Sequence, residues 1–317
     1  MSVETFVYRW SAMATYFEIA LWGRDRLYLE TVAEEAEAEV ANAEQMLSRY
    51  RESSDLYELN SRAAKETVYT DPRLFRLLHH ALRLTVLTDG AFDITVAPLV
   101  NAWGFAGASG HAADESELAA AMQLIGPEMV ILDGESYGVR FARAGVQLDL
   151  GAIGKGYAVD RVCELAREWE VPGCLVHGGT STIGAVGTAP DGLPWRVQIG
   201  PPPGCTAELP VVHLRDDALS VSAPHGKGFH TEGRYHGHVL DPRTGRPTAG
   251  ALLAAVVSPS AAEADAFSTA LLVGGEELLP SLLGQPGTGA LLVLPADRAE
   301  EARVLNRLGA RTSPQSA

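Results

Sequence analysis

The sequence predicts an α+β fold, with mostly antiparallel sheets packed with helices. Helix-period and strand-period segments do not alternate strictly, so the chain lacks the rhythm of a doubly wound parallel sheet. Several short β-like runs follow each other directly, as antiparallel neighbours do. The 317 residues, 46% hydrophobic and 21% charged, suffice for a well-buried core.

Helical patterns are expected over Leu27–Tyr50, Pro72–Thr88, Glu115–Ile125, Asp160–Glu170, Ala261–Val273, Glu276–Leu283 and Asp297–Leu308. Asp71-Pro72 is a cap followed by proline at the first helical position, and Ser260-Ala-Ala-Glu263 reads as a capping box. The β-like runs are Met129–Leu132, Val139–Ala142, Val146–Leu150, Trp195–Ile199, Val211–Leu214, Tyr235–Leu240, Leu252–Ser258 and Ala290–Leu294. Pro201-Pro-Pro-Gly204 is a surface loop. With neither a repeat nor a clear linker, residues 1–308 are expected to form one domain. The polar tail 309–317 is expected to be disordered.

A net charge of −15 without a Lys/Arg cluster speaks against a nucleic-acid partner, which needs a basic face. The same charge repels an anionic dinucleotide, so any phosphate site must be built locally from a few cations, backbone N–H groups or a metal. Cys163, Cys174 and Cys205 form no CxxC motif. The first ten residues lack a basic segment followed by an apolar run, and no stretch reaches the apolar length of a membrane span. A reduced, cytoplasmic protein is expected.

Four segments carry candidate chemistry. Leu148-Asp-Leu-Gly-Ala-Ile-Gly-Lys-Gly-Tyr-Ala-Val-Asp160 runs from a strand through a loop with three glycines and a lysine into a helix. Glycines admit a ligand close to the backbone and a helix N-terminus attracts anions. It is neither a P-loop, since Asp149 and Gly156 stand where glycine and Ser/Thr are needed, nor a Rossmann glycine pattern. A glycine-rich turn with an exposed lysine is the alternative. In the second segment, Asp265 and Thr269 are i and i+4 neighbours. A carboxylate plus a hydroxyl suits a hard cation such as Mg²⁺; a solvated Asp and a Thr bonding back to its helix is the plainer reading.

The third segment is Tyr235-His-Gly-His-Val-Leu-Asp-Pro-Arg-Thr-Gly245. On a strand His236 and His238 would share one side. No third zinc ligand sits at a suggestive spacing; a histidine beside a phosphate site suits a general base, and a core or surface histidine is the alternative. In the fourth, Phe92, Trp103 and Phe105 lie among glycines and polar groups, a composition that either lines a pocket for a flat ring or fills core.

Together these segments resemble the FAD:protein FMN transferase family, known as ApbE, in the family's order from Ser11 to about Gly275. The matching stretches are Ser48-Arg49-Tyr50 with Ser54 and Leu59-Asn60, then Asp89-Gly-Ala-Phe-Asp-Ile-Thr95 leading to Trp103-Gly-Phe105. They continue with Asp149–Ala158, Gly178-Gly179, Trp195-Arg196, His238–Gly245 and Ala264–Thr269. The resemblance implies an ApbE-like, T-fold-like architecture. It implies Asp265 and Thr269 as Mg²⁺ ligands with the Ala152 carbonyl as a third. Met13, Ala91, Phe92, Asp93, Asp149, Lys155 and Val239 match positions that contact FAD, and His238 matches the catalytic histidine. The implied reaction moves FMN from FAD, the substrate, to a Thr or Ser hydroxyl of an acceptor flavoprotein through a phosphoester bond, releasing AMP. A Mg²⁺-dependent FAD pyrophosphatase and a non-catalytic flavin-binding protein are the alternatives. Three positions depart from the family pattern: Thr180 stands where aspartate is common, Ser222-Ala223-Pro224 replaces Thr-Ser-Gly, and Met13-Ala-Thr15 replaces Met-Gly-Thr.

Overall fold

The structure is a computed structural model that describes residues 4–23, 25–107, 110–231, 233–296 and 301–313. In chain order the strands are β1 Glu4–Ala12, β2 Thr15–Gly23, β3 Val68–Tyr69, β4 Val130–Asp133, β5 Gly138–Phe141, β6 Gly173–Gly178, β7 Thr182–Gly187, β8 Trp195–Gln198 and β9 Val211–Leu214. They continue with β10 Ala218–Ser222, β11 Gly228–Thr231, β12 Arg234–Gly237, β13 Leu240–Asp241, β14 Arg246–Pro247, β15 Leu253–Ser258, β16 Gly289–Pro295, β17 Ala302–Arg307 and β18 Thr312–Ser313. The helices are α1 Arg26–Leu47, α2 Asp55–Arg62, α3 Pro72–Leu87, α4 Ala97–Ala102, α5 Glu115–Met122, α6 Gly154–Glu168, α7 Ala261–Gly274 and α8 Leu279–Leu283.

An eight-stranded sheet in the order β1-β2-β6-β7-β10-β15-β16-β17 forms the backbone of the fold. Every strand pairing among the described residues is antiparallel, so the α+β class expected from the sequence is what forms. Both faces of the central strands are covered, which is why their sequences are apolar without alternation. On β15, Ala254 and Val256 join the core under the helices, whereas Leu253, Ala255 and Val257 face the small sheet β18-β9-β8. Helices α1, α6 and α7 lie side by side on the other face.

Two helix starts follow their sequence signals. The Asp71 carboxylate accepts the Arg73 N–H at 2.7 Å, with Pro72 behind it. Ser260 accepts from the Glu263 N–H at 3.3 Å, which is half of the expected capping box. The other donors at that end belong to a neighbour: the Asp160 carboxylate on α6 accepts the N–H groups of Ala261 at 2.6 Å and Ala262 at 2.9 Å. An acid on one helix thus caps the positive end of the next and fixes their relative position.

Other expectations are corrected. Val146–Leu150 is not a strand; the Asn60 side chain brackets the Leu148 backbone, donating to its carbonyl at 3.0 Å and accepting its N–H at 2.7 Å. Helix α6 starts at Gly154 rather than Asp160, so the lysine lies in its first turn. Residues 302–307 form strand β17 instead of a helix, because pairing with β16 outweighs a helix-like pattern; residues 297–300 lie outside the described residues. In the expected tail, residues 309–311 make a 3₁₀ turn and Thr312–Ser313 pair with β9, held by Arg311 on Asp217 at 2.9 Å. Residues 314–317 lie outside the described residues. All three cysteines are free thiols.

The stretch Ala261–Leu283 is long and apolar enough to cross a membrane by length and composition, with a mean hydropathy of 1.2. It is not one continuous α-helix: α7 ends at Gly274, and Gly275 takes a φ of 63°. Its first part packs on α6, β10 and β15 and carries Asp265 in its interior, which is the position of a core helix.

Candidate functional site

Asp265 is buried in the middle of α7, and each of its oxygens is engaged from a different element. Oδ1 accepts the hydroxyls of Thr182 on β7 and Ser220 on β10, both at 3.2 Å. Oδ2 accepts the Gly156 N–H at 3.1 Å and lies 3.6 Å from Lys155 Nζ, both from the first turn of α6. A buried carboxylate is tolerated only with such partners. The plainer reading of a solvated aspartate is therefore excluded, while Thr269 does bond back to the Asp265 carbonyl at 3.2 Å.

The first turn of α6 has a consequence for Ala152. Gly156 is the third residue of α6, so its N–H is one of the first-turn donors without an intrahelical acceptor. It goes to Asp265, and no N–H among the described residues binds the Ala152 carbonyl, which lies just before the helix. A free carbonyl, a carboxylate and the Thr269 hydroxyl next to it make an all-oxygen donor set of the kind a hard divalent cation takes. The residues therefore fit Mg²⁺, although no cluster of three His, Cys, Asp or Glu side chains occurs among the described residues.

Gly156 permits this approach. A methyl group there would lie 2.6 Å from both Ala261 C and Ala262 Cα, inside the backbone of α7. Around it runs a chain of hydroxyls, of which, besides Thr269, only Ser222 stands out in the sequence, as part of a departure from the family pattern. Ser222 is 2.8 Å from Ser268 and 3.3 Å from Thr269, and Ser268 donates to Ser220 at 3.3 Å. Ser220 and Ser222 alternate along β10, a period-two pattern that puts both on one face and was the available signal. Thr182 carried no such mark, three residues beyond Gly179.

His238 reaches this region by another path. Strand β12 ends at Gly237, which packs against the Pro224 carbonyl two residues after Ser222. The two histidines consequently part rather than share one side. His236 stacks on Phe229 with centroids 5.3 Å apart and lies 5.3 Å from Trp103. His238 turns to the Lys227 carbonyl, which lies 3.1 Å from both its Nδ1 and its backbone N. A proton on Nδ1 donates there and leaves Nε2 with a free lone pair. One edge of His238 is exposed, yet the atoms crowding its ring hold the imidazole below its ordinary pKa; the Lys227 carbonyl opposes this, and the charges of Lys227 and Lys155 add to it.

The remaining expected residues fall into two groups. Asp149 lies at the head of the glycine loop, where Arg49 binds its Oδ2 at 2.8 Å and the Gly151 N–H binds Oδ1 at 2.7 Å. Val239, half-buried, passes its carbonyl to Thr248 N–H at 2.9 Å directly after His238. Met13 sits at the tip of the β1–β2 hairpin, beside the turn that leads to Thr182 through the close approach of Gly179 to Thr15. By contrast, Ala91 and Phe92 are 1% and 2% exposed over the whole residue and belong to the core, so neither offers a ligand a surface. Trp103 is likewise core, with its Nε1 donating to the Gly245 carbonyl at 2.8 Å. Asp93 is buried on the Thr95 N–H and hydroxyl at 2.8 and 2.7 Å; burial pushes its carboxyl up and the two donors pull it back. This segment still adjoins the loop, since the Asp149 N–H donates to the Ile94 carbonyl at 2.8 Å.

An antiparallel α+β fold thus brings the acid–hydroxyl pair of α7 to the glycine–lysine turn of the preceding helix α6. The family model described as the ApbE family matches residues 13–292. The chain belongs to the ApbE family. It is 28% identical to the FAD:protein FMN transferase of Escherichia coli (strain K12) over 298 residues, covering 92% of this chain and 85% of that protein. It is 33% identical over 273 residues to the FAD:protein FMN transferase of Treponema pallidum (strain Nichols), covering 80% and 75%. The crystal structure of the ApbE protein from Thermotoga maritima superposes with a TM-score of 0.86 at 27% identity, over 96% of this chain and 97% of that one.

Proposed function

We propose that this chain, an enzyme of the FAD:protein FMN transferase kind, uses Mg²⁺ to move FMN from FAD onto a Ser or Thr hydroxyl of an acceptor flavoprotein, releasing AMP. The observation that carries the reading is the junction of two helices at one carboxylate: Asp265 Oδ2 is shared by the Gly156 N–H at 3.1 Å and the Lys155 ammonium at 3.6 Å. An acid that binds a cation and a loop that cradles phosphate therefore address the same few ångströms.

Asp265, Thr269 and the Ala152 carbonyl would hold the ion. When bound, Mg²⁺ offsets the diphosphate charge and stabilises the phosphate that leaves. The glycines of the loop let the backbone come close to the diphosphate, and Lys155 adds a flexible positive charge. His238 Nε2, its Nδ1 committed to Lys227, takes the proton from the acceptor hydroxyl as that oxygen attacks the FMN-side phosphorus. One P–O bond forms to the acceptor, the P–O bond to AMP breaks, and AMP departs with the electron pair.

The exposed edge of His238 also admits water, which favours a second reading as an FAD pyrophosphatase. The two readings separate in one assay. The purified protein is incubated with FAD, Mg²⁺ and a candidate redox subunit, and the mixture is denatured and inspected for in-gel flavin fluorescence. Covalent flavin with stoichiometric AMP is the expected result. AMP with free FMN supports hydrolysis, and intact FAD across several acceptors supports a flavin-binding protein without turnover.

A further inference from the structure

The charge that balances Asp265 is supplied by one lysine side chain. Lys155 Nζ lies 3.6 Å from Asp265 Oδ2 and 3.4 Å from the Gly151 carbonyl, and its side chain is 26% exposed against 4% for the aspartate. The other oxygen, Oδ1, already holds the Thr182 and Ser220 hydroxyls. Oδ2 holds one hydrogen-bond donor, the Gly156 N–H at 3.1 Å, so it has the room for a metal ion, and it is the one the ammonium attends. We propose that Lys155 is the resident counter-cation of Asp265, that a divalent ion arriving at Asp265 displaces it, and that the displaced ammonium is then taken up by the diphosphate of the nucleotide. Metal and diphosphate consequently bind with positive coupling. This inference rests on the metal assignment under the proposed function.

Two cations cannot attend one carboxylate oxygen without repulsion, and in a half-buried site solvent screens that repulsion incompletely. The side chain that must yield is the one built to do so. Lysine carries a point charge on a four-carbon stem that reorients freely, whereas a guanidinium fork is committed to its geometry. The flanking Gly151, Gly154 and Gly156 place no side chain in its way. In a chain of net charge −15 the released ammonium is one of few local charges available to a diphosphate. Linkage then requires that the metal raise nucleotide affinity by the same factor by which the nucleotide raises metal affinity.

The chain has three lysines, Lys65, Lys155 and Lys227, so amine acylation read by mass spectrometry resolves each one. Mn²⁺ serves as the probe ion. Without nucleotide, saturating Mn²⁺ raises Lys155 acylation relative to Lys65, and addition of FAD lowers it again. Lys155→Met binds Mn²⁺, titrated by its paramagnetic resonance, about tenfold more tightly than wild type in the absence of nucleotide, and FAD tightens Mn²⁺ less in the variant than in wild type. Acylation of Lys155 that ignores Mn²⁺, or a Lys155→Met affinity equal to or weaker than wild type, overturns the inference; the acylation arm uses the wild-type chain and does not depend on the variant folding. Asp265→Asn separates the levels. Mn²⁺ binding that survives this substitution overturns the metal assignment itself, whereas its loss in Asp265→Asn, together with Lys155 acylation that ignores Mn²⁺ in the wild-type chain, overturns the counter-cation alone.

Discussion

Gly156 donates its backbone N–H to the side chain of Asp265 across 3.1 Å, joining the first turn of α6 to the middle of α7. That one bond satisfies a first-turn donor of α6 and brings the glycine–lysine loop to the acid. Its existence depends on the absence of a side chain at residue 156.

Gly156→Ala tests this directly. The new methyl would press into the backbone of Ala261 and Ala262, which cannot swing aside as a side chain would. A loss of about 2–3 kcal/mol in unfolding free energy is expected, together with loss of divalent-ion binding. Denaturant titration and Mn²⁺ binding measure the two; unchanged values for both would refute the close packing.

Thr182→Val and Ser220→Ala each remove one donor from Asp265 Oδ1, leaving a buried acceptor less satisfied. Each is expected to lower stability by about 1–3 kcal/mol. The carboxylate then has freedom to rotate, so Mn²⁺ affinity falls as well. Thr182→Ser, which restores a hydroxyl, recovers most of that affinity. A purely structural role would lower the melting temperature and leave the affinity untouched.

His238 is expected to act as a neutral base, and crowding of its ring holds its pKa below the ordinary histidine value. The transfer rate therefore stays flat through neutral pH and falls on acidification, with its midpoint below about 6.5. The sign for stability is the same: below about 6.5 the unfolded chain binds a proton that the folded His238 resists. Stability is lost as pH falls from that value through the folded pKa. His238→Ala keeps FAD binding and loses transfer. Transfer at the wild-type rate in the variant reassigns the base.

Ala14 takes a φ of 56° beside Met13 at 50°, a left-handed pair closing the β1–β2 hairpin without glycine. Such a turn is of the I′ kind, in which glycine or asparagine is usual. Ala14→Gly, the residue of the family's Met-Gly-Thr pattern, relieves strain of about 1–2 kcal/mol at the expense of backbone entropy. A net gain of about 0.5 kcal/mol is expected from calorimetry, and a clear loss would contradict the backbone assigned here.

The same hairpin shows what the sequence could not announce. Its turn has none of the residues that mark turns, so β1 and β2 left no punctuation to read, although they bring Met13 and Thr15 beside the approach to Thr182. Residues 302–307 are the converse case, since their apolar spacing suits a helix and only the open edge of β16 makes them a strand. By contrast Asp71-Pro72, Ser260 and the buried run of β15 carry local signals strong enough to stand alone.

Read alone, the sequence determined the α+β class, the family, the glycine–lysine turn and the acid–hydroxyl pair one helical turn apart. These are properties of short segments, and spacing along the chain expresses them. Tertiary structure decided which groups meet: the hydroxyls of Thr182 and Ser220 on Asp265, Arg49 on Asp149, Lys227 on His238, and Ala91 and Phe92 inside the core. Such contacts join residues 11 to 100 positions apart, and a buried charge selects its partners by distance in space rather than by order in the chain.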